Sequence, residues 1–126
     1  MSAPAMPTAQ LTVLLEDTAA GICADTAAVQ LICSHGHFLR QPAFRRIIAA
    51  GSSIGSGDPV AVIRWRAAIH ALDRGLLPCS SSEQAILRIA ASLGDPTIPV
   101  HLRTVLGNLD TRTITLVATA ITTANG

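Results

Sequence analysis

The sequence predicts an all-α fold, a compact single-domain bundle of about six to seven short helices over residues 1–126. Three observations support this. The length of 126 residues suits one domain, apolar residues recur at helical spacing, and helix start signals are followed by stop signals. Hydrophobic residues make up 49% of the chain and charged residues 13%. A surface so poor in charge favours a partner or a second copy on one face.

The first part of the chain predicts three helices, over 8–22, 25–39 and 43–50. In the first, the apolar stripe starts at Leu11 and runs through Leu15 to Ile22. Pro42 suits the first turn of the third helix, which should end at Gly51. A Gly/Ser loop should follow over 51–57, and residues 1–7 and 125–126 are predicted to be flexible ends.

Asp58 and Pro59 predict the start of a fourth helix, because a capping carboxylate precedes proline at the first helical position. Gly75 predicts its end. Its core stripe should consist of Val62, Trp65, Ile69 and Leu72.

Three further helices are predicted in the C-terminal part. Ser80 and Glu83 have the capping-box spacing for the fifth, which should run to Gly94. A short sixth should precede Gly107, and Asp110 should cap a seventh over 111–124. Its Thr, Ile and Val residues favour strands by propensity, but they separate into two faces of a helical wheel. The predicted core face consists of Ile114, Val117, Ala118, Ile121 and Ala124.

Two motifs resemble cofactor or metal sites. Residues 51–57 match the G-x-x-x-G-x-G spacing of nucleotide loops, but the predicted surroundings are helical and the chain contains neither Tyr nor Lys. Cys33, His35 and His37 form a C-x-H-x-H run whose residue types suit zinc, although His35 would point away from the other two on a helix. We expect a connector and partly buried or surface side chains instead, with no cofactor, no metal site and no catalytic residues. A Cys/His nucleophile pair lacks a third residue to orient the histidine.

The basic residues are all arginines, and six of them fall in the middle of the chain. They would decorate the third and fourth helices and could hold phosphates. The alternative is a solvated face, since the net charge is only +1. The candidate nucleic-acid residues are Arg40, Arg45, Arg46, Arg64, Arg66 and Arg74.

The favoured hypothesis is a non-enzymatic helical interaction module, either a protein-binding or a self-associating regulator. Ile63 is its first candidate contact, because on a fourth helix it would point away from the core stripe. Thr115 and Thr119 are the others. No signal peptide or membrane span is recognisable, so a cytoplasmic protein with no small-molecule ligand is expected.

Four segments of the C-terminal half resemble a group of small actinobacterial helical proteins of unknown function. They are Leu77-Pro-Cys-Ser-Ser-Ser-Glu83, Leu87-Arg-Ile-Ala-Ala-Ser-Leu93, Pro99-Val-His-Leu-Arg103 and Leu109-Asp-Thr-Arg112. The resemblance implies a cytoplasmic protein of a GC-rich bacterium or its mobile elements, and it implies no catalytic residues.

Overall fold

A computed structural model describes residues 3–126, of which most are helical. The fold is mostly α (63% helix) and not all-α, because a two-stranded sheet accompanies seven α-helices in the described chain. The elements are α1 Thr8–Ala19, α2 Cys23–His35, α3 Pro42–Arg45, β1 Ile48–Ser52, β2 Pro59–Ile63, α4 Trp65–Asp73, α5 Ser81–Gly94, α6 Leu102–Leu106 and α7 Thr111–Asn125. Single turns of 3-10 helix cover Ala3–Ala5 and Phe38–Arg40.

Helix α2 is central and packs against α1, α5 and α7. Its residues Leu31 and Ile32 are almost fully buried, together with Leu11 and Leu15 of α1 and Ile86 of α5. More than one side of α2 is therefore covered by other helices. The helix ends at His35, earlier than predicted, because Gly36 adopts a left-handed conformation that caps it.

The largest difference from the sequence prediction is an antiparallel hairpin over residues 48–63. Helix α3 stops at Arg45, and Ile48 pairs with Ile63 while Ser52 pairs with Pro59. The predicted third helix forms with Pro42 in its first turn, but its predicted extension to residue 50 is wrong, and so is the predicted helix start at Asp58. The β-branched residues of the segment favour a pleated strand, and the alternate side chains Ala61 and Ile63 enter the core.

Helix α4 begins at Trp65, six residues later than Pro59 predicts. Val62 of the predicted core stripe therefore lies in β2 and is exposed, whereas Leu72 is buried as predicted. The Trp65 indole packs against Gly94 at the end of α5, where a Cβ atom would lie 2.1 Å from the indole nitrogen. Only glycine fits at this crossing of α4 and α5.

The capping predictions for α5 and α7 are confirmed. Ser80 and Glu83 form a reciprocal capping box, and so do Asp110 and Thr113. The predicted core face of α7 is rotated, however. Residues Thr113, Val117 and Ala120 are buried, and Ile114, Ala118 and Ile121 are exposed.

The N-terminal segment belongs to the fold from Ala3 onwards. Ala3 and Met6 are buried in the core, so the prediction of a flexible end does not hold for residues 3–7. Met1 and Ser2 lie outside the described residues. Asn125 still belongs to α7.

Candidate functional site

The exposed face of α7 is defined here by Ile114, Thr115, Ala118, Thr119, Ile121 and Thr122. The opposite side of the helix packs on α2, with a smaller contact on α5. Ile114 remains 40% exposed and Ile121 52% exposed. The face follows from the capping box, because it fixes where the helix begins and hence which side chains turn outward.

The threonines on this face direct their hydroxyl groups into their own helix. Thr115 donates to the carbonyl of Thr111 at 3.0 Å, and Thr119 donates to that of Thr115 at 3.1 Å. Thr122 donates to Ala118 in the same way. The hydroxyls are thus satisfied locally, and the methyl groups add apolar surface to Ile114 and Ile121.

The prediction for Ile63 as an exposed contact is wrong. Ile63 lies in β2, pairs with Ile48 and is only 4% exposed. The helical wheel assumed that Ile63 belongs to the fourth helix, but α4 begins only at Trp65. Thr115 and Thr119 are exposed, as the interface hypothesis needs.

The six candidate arginines do not form one patch. Arg45 is buried, and its guanidinium donates to the carbonyl oxygens of Leu39 and Met6 and to the hydroxyl of Thr8. It joins the N-terminal segment to α3 and is not a candidate for phosphate binding. Arg64 is tied to the hairpin by bonds to the carbonyls of Ile47 (2.9 Å) and Arg46 (3.1 Å).

Two of the arginines, Arg66 of α4 and Arg74 directly after it, line the same surface. Arg66 and Arg74, with His70 between them, line an open groove of about 410 Å³ whose wall includes Leu76. Arg66 also contacts the carboxylate of Asp95 at 3.7 Å, which neutralises part of its charge. Arg40 and Arg46 are exposed on other elements.

The C-x-H-x-H run is split by the fold. Cys33 faces α1, where burial raises the pKa of its thiol to about 11. His35 is buried, and desolvation lowers its pKa, with a further contribution from the positive charge of Arg112. Among residues 3–126, no three His, Cys, Asp or Glu side chains come together in a way that could hold a metal ion.

His37 acts as a link between the end of α2 and the start of α5. Its Nδ1 lies 3.1 Å from the Glu83 carboxylate, while Nε2 lies 2.7 Å from the side-chain nitrogen of Gln41 and 3.2 Å from the carbonyl of Pro78. Hydrogen bonding from Ser80 lowers the pKa of Glu83, with the nearby His37 contributing in the same direction. Glu83 supplies the orienting carboxylate that no sequence pattern indicated. Both ring nitrogens are nevertheless engaged in contacts that fasten the fold.

The glycine-rich loop joins two strands. Gly51 and Ser52 belong to β1, and the chain returns at Pro59 into β2. A nucleotide loop of the type that its spacing resembles needs a helix N-terminus directly after it. The sequence missed the hairpin and a second feature beside it, a groove between α1 and β1 that is lined by Val13, Leu14 and Ala50.

Comparison of the chain with protein-family models, curated proteins and solved structures finds no match. The resemblance of the C-terminal half to small actinobacterial proteins therefore stays a prediction. No helix within the described residues is long and apolar enough to cross a membrane.

Proposed function

We propose that this protein is a non-enzymatic helical interaction module that self-associates through the exposed face of α7. The observation that carries the proposal is the chemistry of that face. Its isoleucines are half exposed, and its threonine hydroxyls are bonded to their own helix. Burying such a face is favourable because its apolar surface is removed from water. Few of its polar groups would then need a new hydrogen-bond partner.

A second copy fits this face better than a charged partner does. Within Thr111–Asn125 the only charged side chain is Arg112, in the first turn. In a contact related by a two-fold axis, the same patch serves both copies, so an apolar patch without charged groups is complementary to itself. The small residues Ala118 and Thr115 allow two helices to approach closely, and Ile114 and Ile121 supply apolar contact area.

The proposal assigns no catalytic role to His37 or Cys33. His37 is bonded to Glu83, Gln41 and Pro78, and burial raises the pKa of the Cys33 thiol to about 11. We further propose a cytoplasmic location, because Cys23, Cys33 and Cys79 all have free thiols, as is usual in reducing compartments.

The test is Ile121→Glu, studied by sedimentation equilibrium over a wide concentration range. We expect the wild-type protein to pass from monomer to dimer as its concentration rises, and the variant to dimerise about tenfold more weakly or worse, because a buried carboxylate would lack a partner. Ile54→Glu is the matched control, since Ile54 is fully exposed at the hairpin tip. Monomeric wild-type protein at all concentrations, or equal dimerisation of Ile121→Glu, would contradict the proposal.

Phosphate binding is the second candidate function. It is favoured by the groove on α4, where Arg66, His70 and Arg74 line one open surface. If this groove binds nucleic acid, the affinity of the protein for duplex DNA should fall steeply as the salt concentration rises. Arg74→Ala should make this dependence on salt less steep. Arg103→Ala is the control, because Arg103 is exposed on α6.

A further inference from the structure

The hairpin has one backbone edge that the rest of the described chain does not satisfy. The amide of Ser53 donates to the carbonyl of Asp58 at 2.7 Å, which makes these two residues a hydrogen-bonded pair with a single bond, because the Asp58 amide donates to the Ser56 hydroxyl. Such pairs alternate along an antiparallel ladder with pairs whose backbone groups point away from each other. Along the register of the hairpin, the backbone N–H and C=O groups of Ser52, Ala50 and Ile48 therefore point away from β2.

Two observations on β2 confirm this orientation. Pro59, opposite Ser52, has no N–H group, and proline is tolerated where that group would point away from the ladder. The amide of Ala61, opposite Ala50, donates to the hydroxyl of Thr18 on α1 at 3.1 Å. The outer edge of β2 is thus covered by α1. On β1, the outward N–H and C=O groups of Ala50 and Ser52 have no hydrogen-bond partner among residues 3–126.

The β1 edge also lacks the charges, prolines and bulges with which proteins often block edge pairing. Exposed edges commonly carry Lys, Pro, inward-pointing charges or a bulge. Strand β1 reads Ile-Ala-Ala-Gly-Ser, with a continuous register and no charge. Small side chains leave its backbone open to another chain.

An apolar groove of about 660 Å³ lies beside this strand. One wall is the outer side of α1, where Val13 is 58% exposed and Leu14 is half buried. Ala50 and Ser52 form part of its other side, and Asp17 lies at its margin. Helix α1 packs against β2, the N-terminal turn Ala3–Ala5 contacts β1, and Pro59 and Val60 of β2 complete the lining of the groove.

We propose that the β1 edge binds an extended peptide segment of another protein, which adds a third strand to the sheet and inserts a large apolar side chain into the adjoining groove. Two donors and two acceptors at Ala50 and Ser52, spaced two residues apart, match an extended backbone. A basic residue next to the apolar one would pair with Asp17. This surface lies on the hairpin and α1, so it is separate from the α7 face.

A second copy of the chain is a poorer occupant of this edge. Antiparallel pairing of two β1 strands about Ala50 would allow their outward-pointing backbone groups to form hydrogen bonds. The side chains that the second copy placed near the groove, however, would be those of its Ala50 and Ser52. Ile48 is already buried in its own core. Alanine and serine are too small to fill the groove, whereas Leu, Met or Phe of a foreign peptide would fill it.

The probe is a pool of blocked seven-residue peptides in which threonine alternates with Leu, Ile, Val, Met or Phe, each ending in arginine. Binding is followed by amide chemical shifts and hydrogen exchange in the full-length protein. We expect shifts and slowed exchange at the Ala50 and Ser52 amides. Ala50→Pro should weaken binding about tenfold, because it removes an outward N–H group without breaking the bonds between β1 and β2.

Two further variants separate the groove from the fold and from dimerisation. Val13→Glu should abolish binding by placing a charge in the groove, while Val62→Glu should not, because Val62 is similarly exposed and not part of the groove. Ile121→Glu should bind the pool like the wild type, so failure of the α7 proposal leaves this one standing. The proposal would be overturned if the amide chemical shifts of Ala50 and Ser52 did not change, or if Ala50→Pro bound the peptides as well as the wild type. It would also be overturned if raising the protein concentration alone slowed the exchange of these amides.

Discussion

The C-terminal segment from Ser80 onwards and the middle segment from Gln41 to Arg64 obey the same local rules with opposite outcomes. In the first, both capping boxes form, α5 ends at Gly94 as predicted, and α7 ends one residue after its predicted end. In the second, Asp58 and Pro59 carry an equally clear start signal, yet the chain forms a strand there. Apolar side chains at helical spacing follow both start signals, so a cap signal together with that spacing does not by itself decide for a helix. Before Trp65, the β-branched Val60, Val62 and Ile63 favour a strand instead.

The two segments also differ in how their arginines contribute to stability. Arg45, in the middle segment, is buried and bonded to three oxygen atoms, two of them from the backbone. Arg88, in α5, forms an exposed pair with Asp73 at 2.7 Å. Arg45 is therefore one polar side chain that attaches the middle segment to the N-terminal part, beside the Thr18 hydroxyl that accepts from the Ala61 amide.

We expect the largest effect from Arg45→Ala. It should lower the free energy of unfolding by about 3 kcal/mol, because buried carbonyl groups lose their donors and a space is left. Arg88→Ala should cost about 0.5 kcal/mol, as exposed ion pairs do. Urea unfolding followed by circular dichroism measures both. Equal losses would show that the attachment of the middle segment does not depend on Arg45.

A smaller effect sharpens the contrast between true and apparent caps. Ser80→Ala should destabilise the protein by about 1 kcal/mol, because the Glu83 amide loses its acceptor. Asp58→Ala should change stability by less than about 0.5 kcal/mol, as is usual at exposed positions without special contacts. The same unfolding experiment compares them. A loss at Asp58 as large as that at Ser80 would indicate that Asp58 does cap a helix.

The sequence predicted most of the helical fold because local signals and tertiary packing agree there. It failed where packing decided against the local signal. Pro59 is compatible with a helix start and with an outward-pointing strand position, and only the pairing of Ser52 with Pro59 separates the two. The run Pro59-Val-Ala-Val-Ile63 did contain a strand signal, since three of its five residues are β-branched.

The site was less predictable than the fold. Thr115 and Thr119 have the predicted exposure because the cap at Asp110 fixes the helix. The wheel still assigned Ile114 and Ile121 to the core, since apolar character alone favours burial and the neighbouring Thr113 is polar. Thr113 is buried because its hydroxyl is bonded to Asp110 at 2.8 Å, a contact that hydrophobicity does not report.

The smallest effect concerns His35, where α2 meets residues of α5 and α7. Burial lowers its pKa from the usual 6.5, the charge of Arg112 adds to this, and Glu83 opposes it. The neutral ring is thus favoured in the folded state, and the unfolded chain binds the proton more readily. Stability should be complete above pH 6.5 and should decline as the pH falls below this value, by at most about 1.4 kcal/mol per pH unit for one proton. The lowered pKa of Glu83 acts in the same direction only below about pH 4.5. Comparing the midpoints of urea unfolding at pH 7.5 and pH 5.5 therefore measures the contribution of His35 and not that of Glu83.

His35→Phe should remove the decline in stability, because phenylalanine keeps an aromatic ring in this place without a titrating group. His101→Phe is the control, since His101 is exposed. An unchanged decline in His35→Phe would assign the proton to another residue and would leave this junction without a role in acid sensitivity.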